Sequence, residues 1–208
     1  QATSSAASDV YKRQALDSDP ISEFGGVVSC NYKITQKLAF LLNKIFLEVV
    51  IANGFDKEAL KILKLKKNLR LIDSSKISFN EAWKFNSVDN FTLIQSEDKK
   101  KISKKDFRIV SKKKPNKSQL DDLMFAFNIC RYTKSNAIVL ASNKSTIGIG
   151  SGQPSRLDSC EIAINKMNKF AKIKSEIVAA SDAFFPFVDG IEKLVQSGAS
   201  AIVQPAGC

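Results

Sequence analysis

Apolar positions in this chain alternate between two spacings. Leu38, Leu41, Leu42, Ile45 and Val49 fall three or four apart, and this predicts a helix over residues 35–46. Short runs of two to four apolar residues, at Val27-Val28, at Val49-Val50-Ile51 and at residues 69–72, read instead as buried strands. Asn53-Gly54 makes a turn between them, and Asp56 stands where it would cap a second helix carrying Ala59, Leu60 and Leu63. Residues 73–112 are less periodic, with strands expected at residues 91–95 and 107–110 among lysine-rich loops. Pro115 and its polar neighbours mark a domain boundary. Beyond it, Ser118 and Asp121 have the spacing of a capping box, and Leu120, Leu123, Met124, Phe127 and Cys130 line one helix face. Strands at 137–141 and 146–149, a helix at 155–170, a strand at 177–180, a helix at 190–196 and an extended segment at 201–203 complete the pattern. Helices alternating with short apolar strands predict an α/β fold with sheets covered on at least one face. The chain then divides into residues 1–14, which fit neither pattern, a first unit at 15–112 and a second at 113–208.

Composition narrows the chemistry. With 44% hydrophobic and 25% charged residues the chain suits a globular protein, and no apolar run approaches the roughly 20 residues a membrane helix needs. With no secretory h-region either, a cytoplasmic location is expected. The four cysteines, Cys30, Cys130, Cys160 and Cys208, form no CxxC pair and there is no histidine. Zinc ligation and every imidazole-based proton transfer are therefore outside what these residues supply, and reduced thiols are expected. The net charge of +11 raises a second reading, a non-catalytic basic α/β module that binds a nucleotide or polyanion. Against it, only five of the 32 basic residues are arginine, the residue suited to bidentate phosphate recognition.

Three segments carry more polar chemistry than packing requires. Arg131-Tyr132-Thr133-Lys134-Ser135-Asn136 sits between a helix and a strand, where hydroxyl and amide groups either cap those elements or face a cleft. Residues 147–156, IGIGSGQPSR, run from a strand through glycines to a helix start. Backbone N–H groups there could hold an anion with help from Arg156, although the spacing is neither a dinucleotide fingerprint nor a P-loop. In residues 180–190, ASDAFFPFVDG, three aromatics crowd a proline beside two carboxylates, a setting for a planar heterocycle or for core packing.

Taken together, RYTKSNAIVL, IGIGSGQPSRLDS and ASDAFFPFVDGI resemble, in order and spacing, the transformylase domain of the AICAR transformylase/IMP cyclohydrolase family. The stretches ALDSDPISEFGGVVSCN and FLEVVIAN resemble its first half. The resemblance implies two cytidine-deaminase-like layered units with mixed sheets, incomplete at both ends, and an active site at a homodimer interface. It implies formyl transfer from 10-formyltetrahydrofolate to AICAR, giving FAICAR in purine biosynthesis, with small molecules rather than nucleic acid or membrane as partners. Carried over by position, Gly25, Glu48, Asn136 and Phe184 would contact AICAR. Arg156, Pro186 and Asp189 would hold the folate, and Thr133, Ser135 and Asp182 would bind a potassium ion. The family's catalytic Lys-His segment has no counterpart in these residues, so a fragment inactive alone is expected. Val188 stands where the family has arginine, Pro154 interrupts the glycine loop, and Asn53 replaces a proline.

Overall fold

The computed structural model describes residues 24–78, 83–98, 100–171 and 176–207, so the expectations for residues 1–23 and for Cys208 fall outside it. Two compact units divide between Ile102 and Ser103.

In the unit from Phe24 to Ile102, β1 (Gly26–Cys30), β2 (Leu47–Ala52) and β3 (Arg70–Asp73) form a parallel sheet in that order. Parallel neighbours need crossovers, and α1 (Gln36–Asn43) and α2 (Lys57–Leu63) supply them. Ile34, Leu38, Leu42, Leu47, Val50, Ala59 and Leu63 make the core beneath those helices. Helix α1 stops three residues short of the expected end. Phe46 is drawn out of the helical path: its ring lies 4.7 Å from that of Phe24, and its carbonyl accepts from Gly25 N–H at 3.1 Å. Asp56 holds the N-cap position of α2 but makes no side-chain cap, and its carboxylate pairs with Lys33 at 2.8 Å instead. One strand went unforeseen: β4 (Trp83–Val88) pairs antiparallel with β5 (Phe91–Ser96), and every residue of this hairpin is exposed.

In the second unit, the segment expected as a strand at 107–110 joins no ladder. Phe107 keeps an extended backbone, but its ring packs edge-on against Phe127, with ring centroids 6.1 Å apart, and this ties the segment to α3 (Lys117–Cys130). The capping box of α3 is formed by Asn116 and Gln119, two positions earlier than Ser118 and Asp121. Of the face expected on α3, Leu123 and Cys130 are buried, together with Ala126.

The four-stranded sheet runs β7 (Ser145–Gly150), β6 (Ile138–Ser142), β8 (Ile177–Ser181), β9 (Ala199–Val203), with β8–β9 parallel and the other pairs antiparallel. Every residue of β6 and β8 is buried, because helices cover both faces. Val139, Ala141, Val178 and Ala180 pack toward α3. Ile138, Leu140, Ile177 and Ala179 pack toward α4 (Arg156–Phe170) and α5 (Asp189–Gln196) through Cys160, Ala163, Met167 and Leu194. The period-2 pleat thus sends alternate residues of one apolar run into two cores. The architecture is α/β with parallel and mixed sheets.

Two local features fix this sandwich. Asn143 and Lys144 both take positive φ in the β6–β7 turn, and their N–H groups are bound at 2.8 and 2.7 Å by the carboxylate of Asp122, which is buried on α3. Gly148 and Gly150 on β7 let α4 approach the sheet. A Cβ at Gly148 would lie 2.1 Å from the carbonyl oxygen of Ala163, and one at Gly150 would lie 1.9 Å from that of Ser159. These glycines are there for close packing, and in the loop that follows the Gly152 N–H is spent on Lys134 O at 2.8 Å.

Candidate functional site

Strand register brings the three polar segments of the second unit together. Ile138 pairs with Gly150 on one side and Ser181 on the other, while Ala180 pairs with Val203. The start of β6 and the ends of β7, β8 and β9 therefore share one edge of the sheet. The turn ending at Asn136, the loop after Gly150 and the segment after Ser181 all leave from that edge.

Arg156, the first residue of α4, is the hub. Its Nη1 donates to Ser181 Oγ at 2.8 Å and to Asp182 Oδ1, and its Nη2 donates to Asn136 Oδ1 at 2.8 Å. Asn136 in turn donates through Nδ2 to the carbonyls of Gln153 at 2.9 Å and Pro154 at 3.0 Å. Asp182 accepts from Ala137 N–H at 3.0 Å and from Ser135 Oγ. The Ser135–Asn136 peptide is cis. Ser159, one turn along α4 from Arg156, donates its hydroxyl to the Asn136 carbonyl at 2.8 Å. Side chains of Arg156 and Asp182 are only 13% and 12% exposed, so their charges compensate each other away from bulk solvent. Burial raises the proton affinity of Asp182, but bonds from Ser135, Arg156 and Ala137 outweigh it and hold the carboxyl below the ordinary aspartate range.

The aromatic segment divides by role. Phe185 packs on the core beside α4, its ring 6.0 Å from the Arg156 guanidinium, and its N–H donates to Gln204 Oε1 at 2.9 Å. Phe184 and Phe187 are exposed, as are Pro186 and Asp189, and Asp189 Oδ1 accepts from Gly190 N–H at 2.7 Å. Thr133 spends its hydroxyl proton on Ile129 O at 2.9 Å. Ser135 bonds straight to Asp182, whose charge Arg156 already matches, so Thr133, Ser135 and Asp182 do not present a shell fitted to potassium. Among the described residues no group of three or more His, Cys, Asp or Glu is placed to hold a metal. Burial pushes the thiols of Cys130 and Cys160 up to about 12 and about 11, values of inert core cysteines.

Of the carried-over positions, Asn136, Arg156, Ser135 and Asp182 meet in one cluster. Gly25 and Glu48 lie in the other unit, where they are neighbours: a Cβ at Gly25 would come 3.5 Å from Glu48 Oε1, and Gly25 holds φ +76°. Sequence reasoning missed Ser181 and Ser159 as members of the cluster. The signal for Ser159 was its i+3 spacing from Arg156, which puts both on one helix face. A groove of about 660 Å³ between α4 and α5, crossed by the Glu161–Lys193 ion pair, contains none of these residues.

An α/β sandwich with a buried arginine–carboxylate hub at one strand edge defines a protein that gathers loops there, the place such folds use for small ligands. The matching family is described as the AICARFT/IMPCHase bienzyme, and its model matches residues 1–166, including the first fourteen that the motifs leave out. The chain belongs to that family. It is 41% identical over 207 residues to the bifunctional purine biosynthesis protein PurH of Acetivibrio thermocellus, covering 97% of this chain and 40% of that protein. The proteins of the same name from Oceanobacillus iheyensis and Limosilactobacillus reuteri are 43% and 44% identical over 196 residues, with 93% of this chain and 38% of each relative covered. The chain thus spans about two fifths of the length of these relatives. Among the described residues no helix is long and apolar enough to cross a membrane.

Proposed function

We propose that this chain forms part of a transformylase that moves a formyl group from 10-formyltetrahydrofolate to the 5-amino group of AICAR, giving FAICAR, in a protein that acts as a homodimer. In this reading each unit is a cytidine-deaminase-like layer. The observation that carries the reading is the joining of the three family motifs at one sheet edge through Arg156. The chemistry needs an acceptor for an N–H group of AICAR and a flat apolar surface beside it. Both amide hydrogens of Asn136 are directed at backbone carbonyls, so its oxygen, with one lone pair taken by Arg156, can serve only as an acceptor. Phe184, 42% exposed, offers the ring face, with Pro186 and Asp189 on the folate side. Attack of the amine on the formyl carbon makes the new C–N bond as the bond from that carbon to N10 of the folate breaks; the amine gives up a proton, N10 takes one up and tetrahydrofolate leaves, and since no histidine of these 208 residues can relay that proton, these residues bind and orient while the base comes from the family's Lys-His segment.

Calorimetry of the complete protein checks the assignment. Asn136→Ala and Phe184→Ala should each weaken AICAR binding at least tenfold. Wild-type affinity in both variants would refute the site, and salt-sensitive RNA binding without any heat from AICAR would favour the basic-module reading.

A further inference from the structure

Cations gather at the sheet edge opposite the candidate site. Between Ser103 and Lys117 stand seven basic residues and one acid, Asp106, whose carboxylate accepts from Ser103 N–H and Oγ at 2.7 and 2.8 Å. All seven cations are exposed, and among the described residues only Lys104 is paired with a carboxylate, that of Asp121 on α3. The segment is anchored: Phe107 packs on Phe127, Asn116 donates to Glu176 Oε1 at 3.0 Å, and Gln119 donates to Ser200 Oγ at 2.8 Å. It therefore lies where β8 and β9 begin. Lys144 joins it from the β6–β7 turn, and the bond from Lys104, with the charges of Lys104, Lys144 and Lys117, holds the Asp121 carboxyl below the ordinary aspartate range. The fold gains little from this charge, since Lys117 opens α3 at the positive end of its own helix, where a cation is unfavourable.

We propose that this pole binds the phosphate backbone of double-stranded RNA without reading its sequence, separately from the small-molecule site. Lysine is a strongly hydrated point charge that is depleted at protein–protein interfaces. No aromatic ring among residues 103–117 is exposed to anchor a protein partner or to stack on an unpaired base. All of the cations but Lys117 sit on turns and an extended segment, not along a free helix face of the kind that reads the DNA major groove. A-form RNA is held instead by its shape and its phosphates. Strands β6 and β8, of five residues each, separate the pole from the Arg156 cluster by about 13 Å or more at roughly 3.3 Å per residue, so the two ligands do not compete.

The test is binding of a labelled RNA duplex of about 20 base pairs to the complete protein, between about 50 and 300 mM salt, with a DNA duplex of the same sequence and an RNA duplex of unrelated sequence beside it. The two RNA duplexes should bind within about threefold of each other, the DNA at least threefold more weakly, and log affinity should fall with log salt at a slope of about −4 or steeper. Replacing Lys112, Lys113 and Lys114 together by alanine should weaken RNA at least tenfold and flatten the slope by about 2 to 3. Lys144→Asn, which keeps a residue type that accepts the φ of +54° there, should flatten it by about 1. Val110→Ser, at an apolar position 86% exposed among these cations, should bind RNA as wild type does. RNA binding untouched by the triple and Lys144→Asn changes, a DNA duplex bound as tightly as RNA, or a loss in Val110→Ser with a shallow salt slope, the mark of a protein interface, would each overturn the proposal. Displacement of the RNA by AICAR would overturn it too, by placing both ligands on one surface. A protein that holds RNA through this pole and gives no heat with AICAR would refute only the transformylase reading.

Discussion

Replacing Gly150 by alanine should unfold or grossly loosen the second unit. The added methyl would stand 1.9 Å from the Ser159 carbonyl oxygen, a backbone atom of α4, and no rotamer relieves that contact. Helix α4 would have to retreat from β7, and with it Cys160, Ala163 and Met167, which are fully buried against the sheet. Overpacking of this kind costs about 1–3 kcal/mol where the neighbours can yield and more where they cannot. The retreat would also draw Ser159 away from the Asn136 carbonyl, so the candidate site should be lost along with the packing. Urea unfolding followed by near-ultraviolet dichroism checks this, with Ser151→Ala, at an exposed position, as the control expected to unfold like wild type. A wild-type midpoint in Gly150→Ala would mean that α4 does not lie where the structure puts it.

The second large effect belongs to Asp182. In Asp182→Asn the Arg156 guanidinium keeps its charge at 13% exposure and loses its counter-ion, a change that costs about 3–5 kcal/mol in buried pairs. The pH dependence follows from the direction of the shift. Burial alone would raise this carboxyl, but the Ser135, Arg156 and Ala137 bonds prevail and its folded value lies below the usual one. The stabilisation is therefore complete above the unfolded value of about 3.9 and is lost as pH falls through the lower folded value. Thermal midpoints between pH 7 and pH 3 should fall steeply at the acid end in wild type and less steeply in Asp182→Asn. Parallel curves for the two proteins would show that the carboxylate does not carry this stability.

Much of the fold could be read from residue order because its signals are local. The strands at β2, β6, β7, β8 and β9 and the helices α3, α4 and α5 announce themselves by apolar spacing, and Ser155, expected to open α4, accepts from Leu157 N–H at 3.2 Å. What stayed hidden depends on partners distant in sequence. Gly148 and Gly150 looked like a ligand loop because nothing in IGIG says that the backbone of α4 will lie against it. Asp122 carries no signal of its own in the sequence: the β6–β7 turn, some twenty positions on, places two N–H groups over it. Strand β4 gave a weak signal because the alternation of WKFNSV breaks at Asn86-Ser87, and the hairpin it joins buries neither face. At the site, the motifs marked three loops that the strand register brings together, but not that Arg156 would turn inward to Asp182, Ser181 and Asn136. A sequence shows which groups are charged; it does not show which of them neutralise one another.

Amide hydrogen exchange of the complete protein, with and without saturating AICAR, tests the central claim most directly. If the edge of the four-stranded sheet is the nucleotide site, AICAR should slow exchange in residues 133–136, 151–156 and 182–189 while the outer face of α5 exchanges as before. Protection confined to other parts of the chain, or unchanged exchange in all three segments at saturation, would contradict it.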